Sequence, residues 1–228
     1  GSNVVSIYAG TKSADKAFIF SQDPNSVNSG KILTRSSNQT LGIEFTYSLW
    51  MYLDGFKPKP QSPSSVCGSE CSGTRKHILH KGSSLMNEGN ILTKCPYIYL
   101  DGETNILNID TNTFEEVNSS IEIGNIPINK WISVVICVNQ FNMDAYINGS
   151  LAKSYEFTSI PKQNYGDVYL NLDGGFDGWL SKVMYYDRVL SYSDIHDIMV
   201  SGPAALPIDK KDKPQYLAYD FWINQGNT

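Results

Sequence analysis

The sequence predicts an all-β protein: a two-sheet antiparallel sandwich with one short helix near its C-terminal end. Three observations carry that expectation. Apolar and polar residues alternate in short runs, the period of a half-buried strand. Turn signals recur roughly every ten residues, Asp101-Gly102 and Asn148-Gly149 among them, as in sandwiches and barrels. Aromatic residues reach 12%, with 14 Tyr and 9 Phe, and aromatics fit a pleated surface better than a helix.

The elements follow in order. Glu44 to Leu53 is the clearest strand, with Phe45, Tyr47, Leu49, Met51 and Leu53 on one face and Thr46, Ser48, Trp50 and Tyr52 on the other. Phe56 to Gly73 is rich in Pro, Ser and Gly. It reads as a long surface loop, because strand-like sequence resumes at His77. Tyr97–Leu100 and Asn105–Ile109 flank Asp101-Gly102, a hairpin signal. Trp131–Val138, Met143–Ile147 and Leu151–Phe157 read as a three-stranded meander. Its second turn, Asn148-Gly149, suits type I′, where both central residues take positive φ. Val168–Leu172 is a strand broken by Asp173-Gly174-Gly175, and Phe176–Tyr186 is the last strand. For the helix, Ser191 is the N-cap and Asp194 sits three residues on. Ile195, Ile198 and Met199 give the stripe, and Gly202-Pro203 the stop. Residues 1–203 are expected to form one domain. Residues 204–228, with Tyr216, Tyr219, Phe221 and Trp222, are expected to pack on it as an aromatic extension.

At 228 residues the chain is long enough for a full core. Its net charge of −5 and lack of a Lys/Arg cluster argue against nucleic acid as a partner, since phosphate neutralisation needs clustered cations. No run of about eighteen apolar residues occurs, so no segment here is expected to cross a membrane as a helix; an anchor elsewhere in a longer parent is compatible with that. Of the four cysteines, Cys67 and Cys71 flank a polar segment and read as a local disulfide or as free thiols. Cys67, Cys71, His77 and His80 superficially resemble a zinc finger, but the central spacing is too short. Cys137 lies in an apolar run and reads as a small buried hydrophobe. Sequons at Asn38, Asn118 and Asn148 are glycosylation candidates for a chain that passes through a secretory pathway, which points to an extracellular or particle-surface setting.

Three stretches then line up: Phe45-Thr46-Tyr47-Ser48-Leu49-Trp50; Trp131-Ile132-Ser133-Val134 leading to Tyr146-Ile147-Asn148-Gly149; and Phe176-Asp177-Gly178-Trp179-Leu180 running on to Tyr186-Asp187-Arg188-Val189-Leu190-Ser191. Together they resemble the laminin-G-like, concanavalin-A-like jelly-roll superfamily, which includes pentraxins, over roughly Gly42 to Gly202. The helix, Gly202-Pro203 and the aromatic tail also resemble domains from large DNA viruses. The resemblance implies a jelly roll. It further implies that the pentraxin disulfide is absent, with Cys137 at one of its positions and Ser48 at the other. Ser181 stands where the family often has Asp.

For catalysis on this fold, retaining hydrolases need two carboxylates straddling a glycosidic bond about 5 Å apart. Glu44, Glu103, Glu115, Glu116, Glu122 and Glu156 show no such strand spacing. His77 and His80, three apart on a strand, are expected on opposite faces and so form no pair. Arg188 is expected to be structural. The chain therefore reads as a non-enzymatic recognition or adhesion domain for a glycan or a surface protein, on a cell or virion; a structural shell module and a polysaccharide-cleaving enzyme are the alternatives. The resemblance makes the Trp179 position outward-facing, so its indole is a candidate sugar platform, unless the aromatic tail covers it. Trp50 and Trp131 match core positions. Asp173 and Asp177, flanking Gly174-Gly175, are candidate Ca²⁺ ligands, because that ion takes hard oxygens; Asp101 with Glu103 is a second candidate.

Overall fold

The computed structural model describes residues 3–26, 29–36, 42–55, 75–84, 86–87 and 90–206. Among these it forms strands β1 (Val4–Ser13), β2 (Phe18–Phe20), β3 (Glu44–Leu53), β4 (Lys76–Gly82), β5 (Met86–Asn87), β6 (Asn90–Ile91), β7 (Lys94–Leu100), β8 (Leu107–Thr111), β9 (Ser119–Ile123), β10 (Trp131–Asn139), β11 (Asn142–Ile147), β12 (Ser150–Glu156), β13 (Asp167–Leu170) and β14 (Gly178–Tyr186). A 3₁₀ turn spans Leu172–Gly174 and helix α1 spans Tyr192–Ser201. The first sheet has the order β1-β14-β3-β10-β11-β12 and the second β2-β13-β4-β7-β8-β9; β5 and β6 pair separately. All sheet pairings are antiparallel. The protein is the expected two-sheet jelly-roll sandwich.

Strict alternation places the core. The five residues predicted to share a face of β3, Phe45, Tyr47, Leu49, Met51 and Leu53, are all buried between the sheets, and Ile132, Val134, Ile136 and Val138 of β10 join them. β3 and β10 pair without a break from Trp131↔Tyr52 to Asn139↔Glu44. β14 keeps Leu180, Val183 and Tyr185 in the core although their spacing is uneven. A register shift between Ser181 and Met184, with Lys182 at φ 45, absorbs the extra residue as a bulge. The Asp101-Gly102 hairpin forms between β7 and β8, and the 131–157 meander is β10-β11-β12. Asn148 and Gly149 take φ 50 and 78, as the type I′ turn requires. Five strands fall where the sequence predicts none: β1 beside β14 at the edge of the first sheet, β2 beside β13 and β9 beside β8 at the two edges of the second, and the short pair β5 and β6.

Helix α1 begins with the predicted capping box. Ser191 Oγ accepts from the Asp194 amide, and Asp194 accepts in return from the Ser191 amide. Arg188 Nη1 sits 2.6 Å from Asp194 Oδ2, which gives Arg188 its structural role and, with the Ser191 donors, holds the Asp194 carboxyl far below the usual carboxylate range. Ile195 and Leu190 pack with Val135 and Cys137, so the helix lies on the outer face of the first sheet. Cys137 is free and buried. Its cross-strand partner is Thr46, whereas Ser48 faces Val135. The pentraxin-like bridge is thus absent, and the position opposite Cys137 belongs to Thr46 and not to Ser48.

Candidate functional site: an aromatic row on the first sheet

Trp179 opens β14 beside Tyr52 of β3, and Tyr52 in turn faces Trp131 of β10. Directly opposed residues project to the same side of a sheet, with Cβ atoms about 5 Å apart. Three neighbouring strands therefore place Trp179, Tyr52 and Trp131 side by side on the outer face. All three are partly exposed. The Tyr52 and Trp131 rings meet edge to face, with centroids 5.7 Å apart and planes at 63°. Trp131 is therefore not a core residue. Trp50 is buried, but it faces the same outer side, between Ser133 and Ser181. Alternation on β3 set Tyr52 on the face away from Phe45 and Leu53, and the resemblance turned Trp179 outward; the register of β3 against both neighbours brings Trp131 beside them.

The backbone needs two glycines to present Trp179. A side chain on Gly178, at φ +151, would begin 1.8 Å from the Tyr52 carbonyl oxygen; one on Gly175, at φ +48, would begin 1.8 Å from that of Ala14. Beyond α1 the chain returns across this face. The Ala204 amide donates to Ser181 Oγ at 2.9 Å and its carbonyl accepts from Thr11 Oγ1 at 2.8 Å. The rest of the predicted extension, from residue 207, lies outside the described residues.

The other predicted sites fall elsewhere. Asp173 is exposed in the 3₁₀ turn and Asp177 is half-buried. The Asp177 carbonyl accepts from the Asp54 amide at 2.9 Å, and its carboxylate acts electrostatically on Lys76. Among the described residues no three His, Cys, Asp or Glu side chains converge as metal ligands. Asn118 and Asn148 are both exposed, with the Asn148 Oδ1 accepting from the Ser133 amide at 3.0 Å. Cys67, Cys71 and Asn38 lie outside the described residues.

One expectation is overturned. His77 and His80 share a face and are in contact, His77 Nε2 lying 2.7 Å from His80 Nδ1. The period of two fails because β4 bulges against β7: His77 pairs with Tyr99, but Leu79 pairs with Ile98 and His80 with Tyr97. Ile78 is the extra residue. Both imidazoles are buried on the outer side of the second sheet, against Tyr97 and Tyr169. All four ring nitrogens have hydrogen-bond partners, so neither ring offers a lone pair to take a proton from a substrate.

The sequence model of the concanavalin A-like lectin/glucanase superfamily, of laminin G type, matches residues 25–196. The chain belongs to this superfamily. Solved structures agree on the fold of this lectin-like domain. The botulinum neurotoxin serotype G binding domain superposes with a TM-score of 0.55 at 16% identity, covering 88% of this chain and 46% of that one. The receptor binding domain of botulinum neurotoxin D gives 0.56 at 14% identity, covering 88% and 48%. The lectin-like domain thus spans about half the length of those structures. No curated protein matches it by sequence. Among the described residues no helix is long and apolar enough to cross a membrane.

Proposed function

We propose that this lectin-like domain is a non-enzymatic recognition module that holds a glycan on the Trp179–Tyr52–Trp131 row. The observation that carries the reading is the row itself. Monomeric proteins seldom leave large aromatic rings clustered on a surface without a partner, and aromatic rings on a rigid sheet offer contact area at low entropic cost. The C–H faces of sugar rings suit such a surface. The edge-to-face packing of Tyr52 and Trp131 favours a partner that fits between rings over one long flat chain. A protein partner at the same row is the runner-up. The exposed sequons at Asn118 and Asn148 support an extracellular or virion-surface setting, and the viral part rests on the likeness of the closing helix and Gly202-Pro203 to viral domains. Calcium at Asp173 and Asp177 and a Cys67–Cys71 disulfide are part of the same proposal.

A glycan array probed with the domain, with and without Ca²⁺, tests it. Binding to a defined sugar class is expected, weakened at least about tenfold by Trp179→Ala or Trp131→Ala, the loss of a contact of about 1.4 kcal/mol. An array on which the native domain binds nothing returns the structural-module reading. Reducing ends released from a polysaccharide by the native domain would overturn the non-enzymatic one.

A further inference from the structure

The two histidines of β4 form part of a directed chain. The Leu172 amide donates to His77 Nδ1 at 3.1 Å, His77 Nε2 meets His80 Nδ1 at 2.7 Å, and His80 Nε2 lies 2.8 Å from the Ser83 carbonyl oxygen. One proton arrangement satisfies all three contacts. An amide N–H must find a lone pair, so His77 carries its proton on Nε2; that proton needs a lone pair on His80 Nδ1, which leaves the second proton on His80 Nε2, facing the carbonyl. Both rings are then neutral. A proton added to His77 Nδ1 would confront the Leu172 N–H, and one added to His80 Nδ1 would confront the His77 N–H.

The surroundings oppose that added charge. His80 stacks on Tyr169 of β13, centroids 4.7 Å apart and planes at 12°, and meets Tyr97 of β7 edge-on; Tyr97 also packs on His77. Lys94 of β7 repels a positive charge on His80. Arg75, just before β4, lies over Tyr99 of β7. The carboxylates acting on Tyr97 are Asp110 of β8 and Asp173 of the 3₁₀ turn. Lys76 and Lys81, each adjacent to a histidine on β4, alternate to the other side of the strand.

We propose that the pair is an acid-released latch: neutral, it ties the Leu172 amide in the β13–β14 turn to the Ser83 carbonyl beyond β4, and a proton on either ring breaks the chain and frees the turn. The turn is poised for release. Asn171, Asp173, Gly174 and Gly175 all sit at positive φ, a conformation that costs energy at the two non-glycine positions. It is otherwise held by backbone bonds from Asn171 to Ile78, from Gly175 to Leu172 and from Phe176 to Ala14, and at its exit by the Phe176 ring in the core. Its exit runs through Asp177 and Gly178 into Trp179, so opening it loosens the start of β14. The latch does not depend on what, if anything, Trp179 binds.

Amide hydrogen exchange over residues 171–176, corrected for intrinsic rates, tests it at pH 7 and pH 5. The opening equilibrium is expected to rise about 25-fold as His80 regains an ordinary pKa near 6.5 in the open turn. His196→Gln, which removes the exposed helix histidine, should leave that response intact. His80→Gln should shrink it. Imidazole ¹⁵N shifts of the native chain provide a readout that needs no variant: His77 and His80 are expected as neutral Nε2–H tautomers at pH 6. Opening that is unchanged between pH 7 and pH 5, a full response in His80→Gln, or a cationic His77 or His80 at pH 7 would each overturn the latch.

Discussion

The histidine pair also sets how the whole fold answers to acid, and the size of that response follows from one residue. His80 is fully buried, and burial, aided by Lys94, lowers it from 6.5 to about 4. The unfolded chain therefore binds a proton at a pH where the folded chain does not. Stability from the neutral ring is complete above pH 6.5, falls as the pH drops through the window from 6.5 to 4, and is flat below it. The full difference is about 3 kcal/mol, and about 2 kcal/mol of it is lost between pH 7.5 and pH 5. Other shifted groups stay out of that window. Lys81, lowered to about 8 by burial, is charged in both states below pH 7.5. Asp194, held low by Arg188, matters only where ordinary carboxylates protonate. Urea unfolding at the two pH values measures the loss at constant m. His80→Gln lowers stability at pH 7.5, yet its own acid loss should be smaller by about 2 kcal/mol, so the two curves converge. Parallel losses in native and His80→Gln protein would refute the reasoning, since the ring would then be protonated equally in both states.

Other outcomes follow from single contacts. Gly178→Ala must move β14 away from the Tyr52 carbonyl and should cost about 3 kcal/mol, a Tm lower by roughly 6–12 °C in a thermal melt. Ser191→Ala removes the cap of α1 and should cost about 1 kcal/mol, whereas Arg188→Ala should cost no more than that, because its ion pair is about a third exposed. Iodoacetamide added to native protein should leave Cys95 and Cys137 unlabelled, both being buried and burial pushing Cys95 up to about 11. A calcium ion at Asp173 and Asp177 would add about 2.7 kcal/mol at a hundredfold excess over Kd; identical melts in Ca²⁺ and EDTA would remove that site.

What the sequence disclosed and what it withheld divide along one physical line. Where backbone period and side-chain polarity agree, as on β3 and α1, the strand with its two faces and the helix with its cap were legible from residues alone; β10 was legible as a strand by its apolar run, without its faces. The same alternation put Tyr52 and Trp50 together on one face of β3, without saying that this face is the outer one. What it could not supply was register, because that is fixed between strands distant in sequence. Trp131 therefore joins Tyr52 and Trp179 only once β3 is paired on both sides, and the residue opposite Cys137 turns out to be Thr46. The edge strands β1 and β2 were invisible for a related reason. Exposed edges carry little apolar periodicity, and the burial pattern of β1 is correspondingly irregular.

The histidines fail differently, and more instructively. Counting by twos from His77 is correct for a regular strand, and nothing in His77-Ile78-Leu79-His80 marks a bulge: there is no glycine or proline among the four. The bulge is favoured by what it arranges on either side. Ile78 and Leu79 both enter the core, consecutive residues that an unbroken strand would send to opposite faces, and the two polar rings are thereby turned together onto the other side. Burying two adjacent large aliphatics outweighs the ladder irregularity at one position, each side chain contributing roughly 1.5–3 kcal/mol. The paired imidazoles are then a consequence of core packing. Replacing Ile78 with Thr should relax the bulge and separate the rings. That substitution would appear as loss of the coupled His77–His80 ¹⁵N pattern together with a large drop in stability. Retention of the paired tautomers in Ile78→Thr would mean that the hydrogen-bond chain, and not the core, dictates the register of β4.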